Sequence, residues 1–265
     1  MTGHEQLTSG AQAATPASRP ASAEPILSLQ DVVAGYGKLV VLQGTRFEVA
    51  RGTITTVIGP NGAGKSTVFK AIFGLIPVQR GRIVFGGRDI TNAAPRELLE
   101  LGISYVPQGR NIFPELSVRH NLELGGIAAG SPAQIRTRVE GLLERFPVLR
   151  QKATAQASTL SGGQQKLLEI ARSLLLDPTV MLIDEPSIGL SPLLVQEVFG
   201  ILRDLRAKGM TILMVEQNAR SALEISDDGI VLELGRTRMH DTAARILADP
   251  RVGRLFLGAT IAEVG

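Results

Sequence analysis

The sequence predicts an α/β fold with a mostly parallel β-sheet, and two observations support this prediction. Four short apolar runs rich in β-branched residues, "TITTVIG", "GISYVPQ", "TVMLIDE" and "MTILMVE", have the composition of buried strands. Segments with helical spacing separate these runs, so we expect parallel strands with helices covering both faces of the sheet. Ligands of such sheets bind at the carboxyl ends of the strands.

The composition limits the kind of protein. The 265 residues are 44% hydrophobic and 20% charged, which is enough apolar side chain for one globular domain with a substantial core. The absence of cysteine excludes disulfide frameworks, thiolate zinc sites and cysteine nucleophiles. No apolar run is long enough to span a bilayer, so we expect any membrane role to be peripheral. A formal net charge of +3 does not indicate a nucleic-acid partner.

The two ends of the chain differ from its middle. The first 25 residues are dominated by Ala, Ser, Thr and Pro, which predicts a disordered tail. The alternation of strand-like apolar runs with segments of helical spacing starts at Ile26, and we predict one domain over residues 26–258. Residues 259–265 then form a short C-terminal end.

An interruption of the strand pattern predicts an insertion. Strand signals vanish between Gly109 and Ala157, whereas residues 118–126 and 132–146 have helical spacing. We therefore predict an α-helical insertion over about residues 109–160.

A glycine-rich loop follows the first predicted strand. The segment "GPNGAGKS" satisfies G-x-x-x-x-G-K-[ST] between "TITTVI" and a helix predicted over residues 65–76, which favours a P-loop NTPase core over a flexible loop without a ligand. Backbone N–H groups of such a loop face a phosphate chain, Lys65 adds a positive charge, and Ser66 offers a hydroxyl to Mg²⁺. The predicted nucleotide-binding residues of this loop are Gly59, Pro60, Asn61, Gly62, Ala63, Gly64, Lys65, Ser66 and Thr67.

An acidic pair ends a second predicted strand. In "VMLIDE", four apolar residues precede Asp184, which we expect to bind Mg²⁺ through water. Glu185 follows, where a carboxylate could polarise a water in line with the γ-phosphate, so we predict that it is the general base. An acidic pair that caps the turn before Pro186 is the alternative, but it leaves the apolar run before Asp184 unexplained.

The segment "TLSGGQQK" has two interpretations. Ser161 and Gln164 have the spacing of a helix-capping box ahead of an apolar helix face. A serine, two glycines and a helix N-terminus also present free N–H groups, which favours a second anion-binding site. One nucleotide uses both loops only if the fold brings them together or if the second loop belongs to a neighbouring chain.

The order and spacing of "GPNGAGKS", "LSGGQ" and "VMLIDE" resemble the ATP-binding cassette family, from Ile26 to about Gly258. The resemblance implies a RecA-like core with an N-terminal antiparallel β subdomain, and ATP and Mg²⁺ as cofactors. It also implies two cassettes that clamp two ATP molecules head to tail. By this resemblance the residues that bind the partner's ATP are Ser161, Gly162, Gly163 and Gln164.

The same resemblance assigns roles to two further residues. Tyr36, in "GYGK", matches the aromatic residue that stacks on adenine. Gln108, in "YVPQG", matches the catalytic-core glutamine that touches Mg²⁺ and links the core to the insertion.

Two residues depart from the family pattern. Gln217 stands where the family has a histidine, and Ser191 stands where it has an aspartate. Gln217 can donate a hydrogen bond to a γ-phosphate but carries no positive charge, so it should stabilise the transition state less than an imidazolium. We expect hydrolysis to persist and to depend on Glu185, in a heterodimer with a second cassette that carries the histidine. A regulatory subunit that binds ATP without turnover is the alternative.

Within the family, four segments are similar to the ATP-binding subunits of bacterial branched-chain amino-acid importers; they are "YVPQGRNIFPELSVRHNL", "DEPSIGLSP", "LMVEQN" and "RLFLG". The similarity implies two transmembrane permease subunits, an indirect periplasmic solute-binding protein, and a peripheral location at the cytoplasmic face of the inner membrane. Importers of urea, short-chain amides or other carboxylate-bearing solutes remain alternatives. Ile112, Phe113 and Leu116 are expected to form part of a groove for a cytoplasmic permease helix.

Overall fold

The computed structural model describes residues 25–126 and 130–256, which form two sheets and the helices around them. The strands in chain order are β1 (Pro25–Tyr36), β2 (Leu39–Ala50), β3 (Ile54–Ile58), β4 (Val78–Phe85), β5 (Arg88–Asp89), β6 (Ile103–Val106), β7 (Val180–Asp184), β8 (Thr211–Val215), β9 (Asp228–Glu233) and β10 (Arg236–Thr242). The α-helices are α1 (Lys65–Ile72), α2 (Pro95–Glu100), α3 (Val118–Gly125), α4 (Pro132–Arg145), α5 (Pro147–Gln151), α6 (Gly162–Ser173), α7 (Pro192–Ala207), α8 (Ala219–Leu223), α9 (Ala243–Ala248) and α10 (Pro250–Phe256).

The larger sheet has the order β10-β9-β3-β8-β7-β6. All of its neighbouring pairs are parallel except β10 with β9 at one edge. The four predicted strands are β3, β6, β7 and β8, so the predicted mostly parallel α/β fold is confirmed. The smaller sheet, β2-β1-β4-β5, is antiparallel, as the family resemblance implied.

The apolar strands of the larger sheet are buried on both faces. In β7, Met181 and Ile183 pack into a core shared with α3, α4, α6 and α7, whereas Val180 and Leu182 pack into a core shared with β1, β4 and α1. Successive side chains of a strand point to opposite faces, so a strand between two apolar layers needs an unbroken apolar run. This burial fixes the carboxyl ends of the strands, where the candidate site lies.

The helix predicted over residues 65–76 is shorter than predicted, because α1 ends at Ile72. Gly74 follows with φ +66°, a left-handed conformation that favours glycine. Its N–H donates to the Ala71 carbonyl, and the Leu75 N–H donates to the Lys70 carbonyl, which is the Schellman pattern of a helix end. A Cβ on Gly74 would lie 2.1 Å from the Ala93 carbonyl oxygen.

Helices α3, α4 and α5 lie within residues 109–160, where a helical insertion is predicted; the division of the chain into a core and an insertion stays a prediction. The predicted tail lies outside the described residues except for Pro25, which begins β1. The predicted end at residues 259–265 lies outside them as well. Within residues 25–126 and 130–256, each helix is too short or too polar to span a bilayer.

Candidate functional site

The glycine-rich loop connects β3 to α1 at the carboxyl edge of the larger sheet. Gly62 and Gly64 have φ values of 80° and 100°, so both lie in the left-handed region. A Cβ on Gly59 would lie 2.1 Å from the Leu232 carbonyl oxygen. Glycine is therefore required at these three positions for the chain to wrap around the start of the helix.

The first turn of α1 has no side-chain cap, because Gly64 is in the N-cap position. The N–H groups of a first helical turn have no intrahelical acceptor. Those of Lys65, Ser66 and Thr67 therefore remain available to an anion at the positive end of the helix.

The Lys65 ammonium lies inside the loop, with 6% of the residue exposed. Its Nζ donates to the Gly59 carbonyl at 2.9 Å and to the Pro60 carbonyl at 3.2 Å. Burial lowers the pKa of Lys65 from its ordinary value, and nearby carboxylates, Glu185 foremost, oppose this shift. The loop thus holds a buried cation whose acceptors are backbone carbonyls.

Asp184 ends β7 beside this loop and is 2% exposed. Its Oδ1 accepts a hydrogen bond from the Ser66 hydroxyl at 3.1 Å, and its Oδ2 accepts one from the Tyr105 hydroxyl at 3.4 Å. Burial raises the pKa of Asp184 from its ordinary value, while these hydrogen bonds oppose the rise. The structure therefore brings together two predicted metal ligands, the Ser66 hydroxyl and the Asp184 carboxylate.

Glu185 follows with φ 48°, a left-handed conformation that costs a non-glycine residue about 1–3 kcal/mol. Its backbone N–H donates to the Val215 carbonyl of the neighbouring strand at 2.9 Å. Its Oε2 accepts a hydrogen bond from Gln108 Nε2 at 2.9 Å, and Glu185 is 8% exposed. The bend after β7 thus joins two predicted catalytic residues that are 77 positions apart in the chain.

Tyr36 and Gln217 lie at the margins of this cluster. Tyr36 ends β1 and is 43% exposed, and the Lys70 ammonium on α1 lies 5.4 Å from the centre of its ring. Gln217 follows β8, between β3 and β7 in the sheet, and its side chain is exposed. Both side chains are open to a ligand, as their predicted roles require.

Ser161 caps α6 by the predicted capping box. Its hydroxyl accepts a hydrogen bond from the Gln164 N–H at 3.3 Å, and its own N–H donates to Gln164 Oε1 at 3.2 Å. The N–H groups of Gly162 and Gly163 stay without intrahelical acceptors. Across residues 25–126 and 130–256, no hydrogen bond or ion pair connects Ser161–Gln164 with Gly59–Thr67. The fold of one chain therefore does not join the two loops.

A buried ion pair on α6 holds the loop that follows Gln108. Lys166 Nζ donates to Glu169 Oε2 at 2.5 Å and to the Gly109 carbonyl at 3.1 Å. Glu169 Oε1 accepts the Asn111 N–H at 2.6 Å, and Arg172 donates to the Asn111 carbonyl. We call Lys166, Glu169 and Arg172 the α6 clamp. It attaches the helix that begins at Ser161 to the loop that leads from the core to the insertion.

Sequence reasoning missed three contributors to this region: Tyr105, Glu216 and the α6 clamp. Glu216 is 1% exposed and accepts hydrogen bonds from residues on two loops. A signal for it existed, because an apolar run ends in an acid in "TILMVE" as in "VMLIDE". The clamp left no such signal, because Lys166 and Glu169 resemble the charged residues of a solvated helix face.

The parallel sheet, the uncapped glycine loop after β3 and the Asp184 carboxylate at the end of β7 define a P-loop nucleotide-binding protein. Residues 42–188 match the family described as ABC transporter. The chain therefore belongs to the ABC transporter ATP-binding family, and it binds and hydrolyses ATP.

Two curated relatives differ in the transport systems that their names give. The chain is 39% identical to the high-affinity branched-chain amino acid transport ATP-binding protein BraG of Pseudomonas aeruginosa, over 88% of this chain and 100% of that protein. It is 34% identical to the lipopolysaccharide export system ATP-binding protein LptB of Acidithiobacillus ferridurans, over 88% of this chain and 97% of that protein.

A solved structure has the same fold. It is the ADP conformation of MJ1267, an ATP-binding cassette of an ABC transporter, with a TM-score of 0.79 and 33% sequence identity. The match covers 89% of this chain and 99% of that chain. The predicted P-loop NTPase fold is thus confirmed over most of the sequence.

Proposed function

We propose that this chain is the ATP-hydrolysing subunit of a bacterial importer for branched-chain amino acids. The observation that carries the proposal is the likeness to BraG, which extends over the whole of that protein. In this proposal, ATP-driven closure of two cassettes opens the permease subunits. The chain would act at the cytoplasmic face of the inner membrane, with two permeases and, indirectly, a periplasmic solute-binding protein.

The phosphate loop and Tyr36 bind the nucleotide in this proposal. The free N–H groups at the start of α1 donate to phosphate oxygens. The Lys65 ammonium gives up its hydrogen bonds to the Gly59 and Pro60 carbonyls and donates to the terminal phosphates instead. The exposed ring of Tyr36 stacks on the adenine. The remaining loop residues, from Gly59 to Thr67, supply the backbone that surrounds the triphosphate.

Ser66, Gln108 and Asp184 fit a Mg²⁺ ion. The Ser66 hydroxyl and the Asp184 carboxylate are 3.1 Å apart, and Mg²⁺ prefers oxygen ligands of this kind. Gln108 donates to Glu185 through Nε2, so the amide oxygen of Gln108 remains free to bind the metal. Burial raises the pKa of Asp184, and a divalent cation would offset the same desolvation. The bound ion would neutralise negative charge on the phosphate oxygens.

Glu185 acts as the general base. Its Oε2 is held by Gln108, and its backbone is fixed to β8, so the carboxylate keeps one orientation at the strand ends. It takes a proton from the attacking water as the water oxygen bonds to the γ-phosphorus, while the bond between that phosphorus and the β,γ-bridging oxygen breaks and ADP leaves. Gln217 donates a neutral hydrogen bond to the γ-phosphate, which stabilises the transition state less than an imidazolium would. We therefore propose a heterodimer in which a second cassette carries the histidine.

Ser161, Gly162, Gly163 and Gln164 bind the ATP of the second cassette. Support comes from the free N–H groups of the two glycines and from the lack of a connection between this segment and the phosphate loop of the same chain. Each nucleotide would thus be enclosed by two subunits.

A groove beside the α6 clamp is proposed to receive a cytoplasmic permease helix. Its volume is about 500 Å³, and Phe113 and Ile112 line it. Phe113 is 49% exposed and the nearby Leu116 is 36% exposed, so both offer apolar surface to a partner. Phe113→Asp should abolish co-purification of the permeases, whereas Leu39→Asp, at a 66% exposed residue of β2, should not. Permease binding by a folded Phe113→Asp protein would count against the groove.

Reconstitution tests the whole proposal. The chain, a second cassette and two permeases would be purified together, placed in liposomes with the solute-binding protein, and assayed for ATP-dependent uptake of radiolabelled leucine. We expect uptake with the wild-type chain and none with Lys65→Ala. If the complex hydrolyses ATP but moves urea, an amide or another solute instead of leucine, the alternative cargo replaces the proposed one.

A further inference from the structure

Glu216 is a buried carboxylate directly after β8 to which the roles above assign no function. It is 1% exposed. Its Oε1 accepts the Ser187 N–H at 2.8 Å, and its Oε2 accepts the Ser187 hydroxyl at 2.8 Å. Oε2 also accepts the N–H groups of Gln217 at 3.1 Å and of Asn218 at 3.3 Å. The carboxylate therefore has four donors that come from two different loops.

These donors are all neutral, and in the described parts of the chain no lysine or arginine forms a salt bridge with Glu216. Burial raises the pKa of Glu216, whereas its hydrogen bonds with Ser187, Asn218 and Gln217 oppose the rise. Its negative charge also acts on Lys65 of the phosphate loop. A buried charge of this kind is expensive unless its hydrogen bonds are numerous.

A carboxylate is the side chain that suits this position. Three backbone N–H groups and one hydroxyl converge on it, and an ionised carboxylate accepts through two oxygens without donating. A glutamine would direct its own NH₂ group at one or more of these donors. The substitution Glu216→Gln therefore removes bonds while leaving the size of the side chain almost unchanged.

The two loops joined in this way carry Glu185 and Gln217. Ser187 lies two residues after Glu185, and Gln217 directly follows Glu216. The Ile188 N–H donates to the Glu185 carbonyl at 3.2 Å, so Ser187 is part of the turn that orients Glu185. Anchoring Ser187 through both its N–H and its hydroxyl fixes this turn relative to Gln217.

We infer that Glu216 is a positioning residue for ATP hydrolysis, because its carboxylate sets the spacing between Glu185 and Gln217. The inference rests on the roles proposed above for those two residues. It assigns Glu216 no contact with the nucleotide. Misplacement of a reacting group by about 1 Å can lower a rate about 100-fold, so loss of these bonds should reduce turnover more than ATP binding.

The test compares steady-state hydrolysis by full-length variants. Glu216→Gln should lower kcat about 10–100-fold with KM for ATP within about 3-fold. Ser187→Ala, which removes one of the four bonds, should lower kcat about 2–10-fold, and Ser187→Thr should restore it. Ser226→Ala is the matched control, because Ser226 is a partly buried serine whose hydroxyl bonds to Thr56 and Ala222 rather than to Glu216 or Ser187. Its kcat should stay at the wild-type value.

The outcomes separate this inference from the proposal beneath it. If Glu185→Gln hydrolyses ATP like the wild type, the proposed role of Glu185 fails. If Glu185→Gln is inactive while Glu216→Gln and Ser187→Ala keep the wild-type kcat, only the inference is overturned. A rise in KM that accounts for the whole loss overturns it as well. Should Glu216→Gln not fold, the pair Ser187→Ala and Ser187→Thr decides the matter, since a wild-type kcat in Ser187→Ala refutes positioning.

Discussion

The helices α1 and α6 both begin at glycine-rich loops, but their first turns are satisfied differently. The start of α1 has glycine as its N-cap and a buried lysine whose hydrogen-bond partners, among the residues that the structure describes, are carbonyls of its own loop. The start of α6 closes its own capping box through Ser161 and Gln164. The phosphate loop thus keeps its hydrogen-bonding capacity for a ligand, whereas the second loop is already stabilised by its own capping box. It can still offer the N–H groups of its two glycines, the Ser161 O–H and the Gln164 NH₂ group, because Ser161 and Gln164 act as acceptors within the box.

The greatest loss of activity should come from the substitution that tests whether ATP is hydrolysed beside the phosphate loop. Glu185→Gln should lower kcat about 10²–10⁴-fold, because an amide cannot accept a proton from water. Single-turnover hydrolysis of radiolabelled ATP measures this. Glu197→Gln, at an exposed position of α7, is the control and should hydrolyse ATP at the wild-type rate. Unchanged single-turnover hydrolysis in Glu185→Gln would place the chemistry elsewhere.

The next prediction concerns which of the two glycine-rich loops contributes to ATP binding by a single chain. Lys65→Ala should weaken ATP binding by dilute, isolated chain about 10–100-fold, since hydrogen bonds to charged groups contribute about 1.5–3 kcal/mol. Ser161→Ala should leave this affinity within about 2-fold, because its loop serves the partner's nucleotide. Isothermal titration calorimetry distinguishes the two variants. Equal losses in both would show that a single chain uses both loops.

A smaller effect is expected on stability, from the substitution that removes the capping box of α6. Ser161→Ala should destabilise the nucleotide-free protein by about 1 kcal/mol, or about 2–4 °C in Tm, because the Gln164 N–H loses its acceptor. Ser191→Ala is a matched control, since Ser191 is the N-cap of α7 but makes no side-chain capping bond. Its Tm should change little. Equal losses of Tm in the two variants would mean that the box contributes nothing specific.

The smallest predicted effect is a gain in stability, whereas the substitutions above should cause losses. Burial raises the pKa of Asp184, so its ionised form disfavours folding at neutral pH, and the penalty fades as pH falls through the raised pKa of the folded state. Asp184→Asn can accept from one of the Ser66 and Tyr105 hydroxyls and donate to the other, and it should raise Tm by about 1–2 °C at pH 7.5. This gain should shrink as the pH approaches 4. Scanning calorimetry across this range measures it, and Asp204→Asn on the surface of α7 should give no gain.

The sequence predicted the parts of the fold and site that depend on local pattern. The strands β3, β6, β7 and β8 are buried on both faces and therefore unbroken in hydrophobicity. The predicted end of α1 was wrong, because the helical spacing of apolar residues continues through Leu75 and Ile76 although the backbone already turns at Gly74. The role of Gly74 depends on the carbonyl of Ala93, which lies in a distant turn.

Long-range burial explains what the sequence could not predict. The donors of Glu216 include Ser187, which lies 29 positions away, and no local pattern encodes that meeting. Lys166 and Glu169 have the spacing of an exposed helical ion pair, yet both side chains are almost completely buried. The partners of Glu216 and the burial of Lys166 and Glu169 are therefore features that only the folded chain reveals.

Burial of the α6 clamp has a consequence for the response of the molecule to salt. Lys166 and Glu169 have exposed side-chain fractions of 6% and 2%, whereas Arg119 and Glu140, which pair within the insertion, have 33% and 56%. Mobile ions screen exposed pairs far more than buried ones. The attachment of α6 to the loop after Gln108 should thus persist at ionic strengths that weaken the pair on the insertion surface.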